Sequence, residues 1–502
     1  MKRSPELLRL ADAVLFPGFE GKTPPEWLRR RLSGGLSGVV LFSRNIAGPA
    51  QVAELTAALR AENPALLVGI DEEGGEVTRL EVAAGSTRPG NYALGVVDDV
   101  ELTERIARDL GHDLARAGVN FDFAPSADVN SNPDNPVIGL RSFGADPDLV
   151  ARHAVAWIKG LQSACVAACA KHFPGHGDTS VDSHHGLPAV AAGVEELYEV
   201  ALRPFRAAID AGVQSIMTGH LLVSAYDGGM PATLSSRILH DLLRAEMGFE
   251  GVIITDGIEM QAVSGPFGIG GASARAIAGG ADAVCIGGEH ADEQTAVEAR
   301  DAIVDAVLEG WLPEERLADA ARRVGALAAW GTPGPTPPVV PSRPGDVPIG
   351  LVAARRALRI TRRSAADVLP LPAPPHVVEL APEMNLAIDK ATPWGVGEPL
   401  GKLLPGTTVT RLDVSAATGG AIETALGSAE GRPLVVVVRD AHRHLWQEDA
   451  LNHLLAARPD TVVIEMGLPG RSDLGAVHIA THGSARVCGQ AAAEFLAGEL
   501  PA

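Results

Sequence analysis

Eight short apolar runs limit what this chain can become. They are Asp12–Phe19, Ser37–Phe42, Ala65–Asp71, Val119–Ala124, Val166–Lys171, Val213–Gly219, Gly251–Asp256 and Ala281–Gly287. Several are continuous Val/Ile/Leu segments without alternation, as in parallel strands buried on both faces. Helix-like stretches separate them, among them Val52–Glu62, Asp98–Ala117, Asp148–Ser163, Val194–Ala211, Arg237–Met247 and Ala272–Gly279. Such an alternation is expected to close into a (β/α)8 barrel of the TIM type. An open doubly wound sheet is the competing arrangement. It calls for a Gly-rich phosphate turn after the first strand, and Leu15–Gly21 supplies none.

Helices expected at Asp292–Glu309 and Pro313–Trp330 close a first domain over 1–330. Residues 331–349 read as a linker, because Gly331–Pro348 carries seven Pro in eighteen residues and such segments are extended and semi-rigid. A smaller α/β domain is expected over 350–502. It would open on a basic helix at Gly350–Ser364, followed by strands at His376–Leu380, Thr407–Leu412, Pro433–Val438 and Thr461–Glu465 and a helix at Trp446–Ala457. Its Arg439–His444 stretch reads as a charged surface turn rather than a ligand contact, since loops are polar and exposed.

In a barrel of this kind the reactive groups sit at the carboxyl ends of the strands. Asp71-Glu72-Glu73 ends the third run, Asp122 and Asp128 surround the end of the fourth, and Lys171-His172 ends the fifth. Thr218-Gly219-His220 ends the sixth and Thr255-Asp256 the seventh. The richest stretch is Lys171–Pro188, with four His, two Asp and one Lys in eighteen residues. Titratable groups this dense, on a loop held by a rigid strand, are a common catalytic arrangement. A solvated His-rich surface loop is the alternative.

The net charge of −20 argues against nucleic acid, which calls for a basic face, and against anionic membrane surfaces. No run approaches the roughly 20 apolar residues a membrane span needs. The charged opening Met1–Glu6 is not followed by an apolar stretch of about 7–15 residues, as a secretory signal would be. Four Cys, none in a CxxC pair, fit buried free thiols in a reducing compartment. The expectation is a soluble, cytoplasmic protein.

Two reactions suit these residues. Glycoside cleavage with retention needs a carboxylate nucleophile and a proton donor across the bond. Asp256 is the natural nucleophile, and Asp182-Ser183-His184 offers a donor with a carboxylate to orient its ring. Metal-assisted hydrolysis is the second, with His172, His176, His184, His185, Asp178 and Asp256 as possible ligands. No HxH or HExxH supports it.

Lys171–Pro188 resembles the KHFPGHGxxxxDSHxxLP signature of the β-N-acetylglucosaminidase branch of glycoside hydrolase family three. Gly38–Ile46, Asp71–Leu80, Asn135–Gly144 and Thr255–Met260 resemble further family segments in the same order, and the likeness covers roughly residues 10–330. It implies a retaining exo-β-N-acetylglucosaminidase needing no metal or organic cofactor. Asp256 would be the nucleophile, His184 the acid/base and Asp182 its dyad partner. Asp71, Arg79, Arg141, Lys171 and His172 would bind the sugar. The implied substrate is a terminal β-linked N-acetylglucosamine of muropeptide or chitin-derived oligosaccharide. A phosphorylase using the same residues is the nearest rival, and a metal-dependent hydrolase or a catalytically dead sugar-binding protein the others. Glu76 departs from the family, which usually carries Arg there, and Glu72 is more acidic than a common Gln or His. His176 and Asp178 are expected to shape the loop. His220 is expected either to line the pocket or to serve as a hydrogen-bonded structural residue.

Overall fold

The computed structural model describes residues 3–181, 186–331, 346–363 and 368–500. It divides into two compact units. Within the described residues, the first comprises 3–73, 100–138 and 142–331. The second comprises Gly74–Asp99, Gly139–Arg141 and everything from 346 on.

A strand falls on each of the eight apolar runs of the first unit, and the fifth extends two residues beyond its run. We number them β1 Leu15–Pro17, β2 Gly38–Leu41, β3 Leu67–Ile70, β4 Phe121–Asp122, β5 Ala167–Phe173, β6 Ser215–Thr218, β7 Val252–Thr255 and β8 Val284–Ile286. The strands β2 to β7 form one parallel sheet in chain order. Its far edge continues into β8 through a parallel bridge between Ile254 and Ala283, and β8 pairs with β1. Phe16 of β1 packs its ring against Gly38 of β2, which completes the circuit. The interior is filled by Phe16, Val40, Leu67, Phe121, Phe123, Cys169, Met217, Ile254 and Cys285. The (β/α)8 barrel is therefore present.

The helix expected over Val194–Ala211 is two helices, Val194–Glu199 and Arg203–Asp210. Pro204 explains the break. It lacks an N–H and suits the first turn of a new helix, not the interior of an old one. The helix at Arg237–Glu246 is of π type.

The second unit holds a six-stranded sheet. Its strands are β9 Arg359–Arg362, β10 His376–Leu380, β11 Thr408–Leu412, β12 Leu434–Val438, β13 Val462–Glu465 and β14 Val477–Ala480, in the spatial order β11-β10-β12-β13-β14-β9. All pairs are parallel except β9 with β14. The five parallel strands run second-first-third-fourth-fifth, the doubly wound order whose switch point lies between the first and third strands, here β10 and β12. The helix expected over Gly350–Ser364 ends at Ala357. Arg359–Arg362 instead forms the antiparallel edge strand, because pairing with β14 satisfies its backbone and outweighs local helix preference. Ser364 lies outside the described residues.

Candidate active site

The loop after β3 starts with Asp71 and Glu73. Lys171, near the end of β5, places its Nζ 2.7 Å from Asp71 Oδ1 and 2.7 Å from Glu73 Oε1. The Lys side chain is 1% exposed and that of Glu73 3%, whereas that of Asp71 is 25% exposed. A buried ammonium is tolerable only when its charge is met, and two carboxylates meet it here. Asp71 is thus the member of the triad that a ligand can reach.

Asp128, wholly buried beyond the end of β4, organises the next residue of β5. Its Oδ2 lies 2.7 Å from His172 Nδ1, and it accepts hydrogen bonds from the backbone N–H of His172 at 3.2 Å and of His176 at 2.6 Å. Burial alone would push this carboxyl up. The attraction and hydrogen bond of His172, together with His176, more than offset that and leave it below its usual range. His172 therefore has one ring nitrogen fixed by a buried anion.

The same Asp holds the root of the loop that follows. His176 Nδ1 lies 2.6 Å from Thr179 Oγ1, and Asn135 Nδ2 donates to the His176 carbonyl at 2.8 Å. Ser131 donates to Asp178 at 3.3 Å. Gly177 lies against the Val129 carbonyl so closely that a Cβ would approach it to 1.8 Å. His176 and Asp178 are thus loop-shaping residues. Burial drives the His176 imidazole down to about 4, so it is neutral near pH 7.

Asp256 follows β7 directly. Its N–H donates to the Thr218 carbonyl at 3.1 Å, and its Oδ1 accepts from the Gly257 N–H at 2.8 Å. His220 steadies the same turn. Its Nε2 lies 2.9 Å from the Gly257 carbonyl and its Nδ1 2.8 Å from Thr233 Oγ1. Both ring nitrogens of His220 are thus engaged, as the structural role expected for it requires. Burial raises the Cys285 thiol well above its usual value, and the charges of Glu259, Asp256 and Asp71 add to that. Asp71 follows β3 and Asp256 follows β7, so both stand at the carboxyl end of the barrel strands.

Glu259 was not singled out by sequence reasoning. Its Oε1 accepts from the N–H groups of Gly287, at 3.0 Å, and Gly288, tying the β7 loop to the end of β8. A carboxylate three residues after a candidate nucleophile was the only signal available for it. Asp122 accepts from the Glu72 N–H at 2.9 Å, and burial raises its carboxyl well above the ordinary value. It braces the β3 turn.

Arg79 and Arg141 belong to the second unit. Arg79 Nη2 donates to the Ala387 carbonyl at 3.0 Å, and the Arg141 carbonyl accepts from Asn91 Nδ2 at 2.7 Å. Arg439 corrects the reading of its stretch as a surface turn. It is buried, and its guanidinium is paired with Glu76. Asp182, His184 and His185 lie outside the described residues. Among the described residues no group of three His, Cys, Asp or Glu side chains is arranged to hold a metal ion.

The Glycosyl hydrolase family 3 N terminal domain matches residues 22–327. The chain belongs to glycosyl hydrolase family 3. Its fold over 99% of its length resembles a glycoside hydrolase family 3 β-N-acetylglucosaminidase from Paenibacillus sp. str. FPU-7, with a TM-score of 0.87, 33% identity and 97% of that chain covered. Among curated family relatives, Beta-hexosaminidase A of Pseudoalteromonas piscicida is 37% identical over 263 residues, which span 48% of this chain and 44% of that one. A Beta-hexosaminidase of Nitrosomonas eutropha is 40% identical over 251 residues, or 48% of this chain and 71% of that one. This family 3 chain is a glycoside hydrolase, and its second unit extends beyond the matched domain. No helix among the described residues is long and apolar enough to cross a membrane.

Proposed function

We propose that this chain is a retaining exo-β-N-acetylglucosaminidase acting on terminal β-linked N-acetylglucosamine of muropeptide or chitin-derived oligosaccharides. The observation that carries this reading is the placement of Asp256 directly after β7, with the Lys171–Asp71–Glu73 and His172–Asp128 pairs at the same end of the barrel. The matched family and the β-N-acetylglucosaminidase fold relative support it.

In this mechanism Asp256 attacks the anomeric carbon while the proton donor protonates the glycosidic oxygen. A covalent glycosyl ester forms and the aglycone leaves. The same donor then takes a proton from water, which attacks the anomeric carbon, breaks its bond to Asp256 and releases N-acetylglucosamine with its original configuration. The family motif gives the donor role to His184 and the partner role to Asp182. A His at neutral pH needs no large shift to act in both directions. Asp71, Lys171 and His172 hold the sugar, and the resemblance gives Arg79 and Arg141 sugar-binding roles. Preset donors and acceptors fix the ring so that attack is in line. A cytoplasmic address is part of the reading and is supported by four free Cys, of which Cys169, Cys285 and Cys488 are buried.

The test is a time course of p-nitrophenyl β-N-acetylglucosaminide cleavage by the wild type, Asp256→Ala and His184→Ala, each with and without phosphate. We expect Asp256→Ala to lose roughly a thousandfold or more of kcat. The sugar released in phosphate buffer should be N-acetylglucosamine. Undiminished turnover by Asp256→Ala would remove the mechanism, and N-acetylglucosamine 1-phosphate as product would make the enzyme a phosphorylase.

A further inference from the structure

Glu259 is a carboxylate that the proposed mechanism does not use. It sits three residues after Asp256, in the turn that Met260 closes by donating its N–H to the Gly257 carbonyl at 3.0 Å. Its Oε1 accepts from the N–H groups of Gly287, at 3.0 Å, and Gly288. Its Oε2 is buried and has no hydrogen-bond partner among the described residues. Burial raises this carboxyl above its ordinary range, and the charge of Asp256 adds to that. A desolvated carboxylate with one oxygen unsatisfied costs stability, and an amide of the same shape would cost less. Stability alone does not explain an acid here.

The groups around it do. Gly287 and Gly288 follow β8 directly. Both of their N–H groups go to Glu259, and both of their carbonyls accept from Arg44, that of Gly288 at 2.8 Å. Arg44 lies in the loop after β2, and its Nε donates to the Phe19 carbonyl, beyond the end of β1, at 3.1 Å. The glycine pair is thus gripped by an acid from the β7 loop and a base from the β2 loop. Gly287 takes a φ of +111°, and a Cβ on it would come within 2.6 Å of the Gly18 N, so only glycine suits this close approach. The clasp stands where the barrel is thinly paired. The strands β6 and β7 pair over four residues, whereas β7 meets β8 through one bridge, Ile254 with Ala283, among the described residues.

The Glu259 carboxylate also lies over Gly257. Both of its oxygens would be 3.4 Å from a Cβ there. Gly257 is the mount of Asp256, because its N–H donates to Asp256 Oδ1 at 2.8 Å, while its carbonyl lies 2.9 Å from His220 Nε2. The next N–H, of Ile258, donates to the Cys285 carbonyl at 3.0 Å. The peptide after Asp256 is therefore tied at its carbonyl, tied to β8 one residue on, and covered by Glu259.

We propose that Glu259 is a positioning residue for the nucleophile, clasped to Gly287 and Gly288 against Arg44 so that the Gly257 peptide holds the Asp256 carboxylate in line for attack. The proposal rests on the reading of Asp256 as the nucleophile. All the groups involved belong to the first unit. The clasp acts on the reacting carboxylate and not on Asp71, Lys171 or His172, so its effect belongs in kcat and not in sugar affinity.

The experiment uses the full chain. It measures kcat for p-nitrophenyl β-N-acetylglucosaminide, calorimetric binding of N-acetylglucosamine, and hydrogen–deuterium exchange over residues 284–290, which reads the clasp without turnover. Thermal midpoints are recorded for each variant. Glu259→Gln keeps the reach and the accepting Oε1 but loses the charge. Glu259→Asp keeps the charge but is one methylene too short. We expect Glu259→Ala and Glu259→Asp to lose roughly tenfold to a hundredfold of kcat, with sugar affinity within about threefold of the wild type and faster exchange over 284–290. Glu259→Gln should stay within about threefold in kcat and keep slow exchange. Its thermal midpoint should be unchanged or higher, because a neutral amide costs less to bury. Arg44→Met should lower kcat as well, and combining it with Glu259→Ala should add little, because both residues act on the same glycine pair. If the alanine or Arg44 variants fail to fold, the Gln and Asp variants decide. Wild-type kcat in Glu259→Asp, a loss in Glu259→Gln equal to that in Glu259→Asp, a fall in sugar affinity matching the fall in kcat, or fully additive effects with Arg44→Met would each overturn the clasp. Undiminished turnover by Asp256→Ala would instead remove the reading of Asp256 on which the clasp rests, whatever the Glu259 variants do.

Discussion

At the scale of single residues, the site is built from buried charges that meet one another. Lys171 sits 2.7 Å from both Asp71 and Glu73, and it is among the largest side chains with essentially no exposure. Removing a partner from a buried ion cluster costs more than the cluster contributes, because the remaining charge stays out of water. Lys171→Met should therefore lower stability by about 3–5 kcal/mol, read as a shift of the urea midpoint. A loss below about 1 kcal/mol, the range of exposed pairs, would show that solvent already screens the cluster. Asp128 makes a pH-dependent prediction. Its folded pKa lies below the value of about 3.9 expected for the unfolded chain. Its contribution is thus complete above that pH and is lost as the pH falls through the folded value. Asp128→Asn should be less stable than the wild type at neutral pH, and the gap should narrow below about pH 4. A gap that widened in acid would contradict the assignment. The key residues of this end of the barrel were legible in the sequence, because Asp71, Lys171, His172 and Asp256 each end an apolar run. Their partners were harder to read. Asp128 lies well after its strand, and only the folded chain brings it to His172.

At the scale of elements, the strands read well and the joints did not. Continuous Val/Ile/Leu runs identify a strand buried on both faces without help from its neighbours. The edge strand β9 and its partner β14 lack such runs; β14 is held between β13 and β9, and β9 pairs with β14 alone among the described residues. The two helices at Val194–Glu199 and Arg203–Asp210 were hidden in one helical pattern that Pro204 interrupts. The weak point of the second sheet is His478 on β14. It is 1% exposed, and neither ring nitrogen has a hydrogen-bond partner among the described residues. Burial drives it down to about 4, and it drives His482 to about 4 as well. For such a group the folded pKa lies below the unfolded value of about 6.5, so the unfolded chain takes the proton first as pH falls. Stability is unaffected above about pH 6.5 and is lost progressively towards about pH 4. His478→Phe fills a similar volume without polar atoms. It should raise stability at pH 7 by roughly 1 kcal/mol and flatten the acid side by up to about 1.4 kcal/mol per pH unit. Chemical denaturation at pH 7, 6 and 5 checks both, and an unchanged slope would show that His478 is solvated in the native state.

At the scale of the whole molecule, the sequence suggests two domains joined end to end, yet the second unit also contains Gly74–Asp99 and Gly139–Arg141. Nothing in the local pattern of those segments distinguishes them from ordinary barrel loops. Their membership follows from partners more than two hundred and fifty residues away. Asp99 pairs with Arg356 at 2.7 Å, the Val96 carbonyl accepts from Arg359 at 2.8 Å, and Gly350 abuts the Thr87 carbonyl. Val77, Leu80, Ala93 and Leu94 are buried in the same segment. A chain ending at residue 331 would retain every strand of the barrel while depriving this segment of all partners beyond that point. The apolar residues would then face water, at about 25 cal/mol for each Å² newly exposed. We expect such a chain to keep its far-UV helical signal, because the barrel core lies in the first unit. Limited trypsin digestion followed by mass spectrometry should cut it preferentially after Arg79 and Arg88. Both residues are at most 8% exposed in the full chain, so they should resist cleavage there. The two outcomes separate two views of the second unit. Selective cleavage in 74–99 makes it the scaffold of Arg79. Equal protection in the short chain would mean that these loops are ordered without the residues beyond 331.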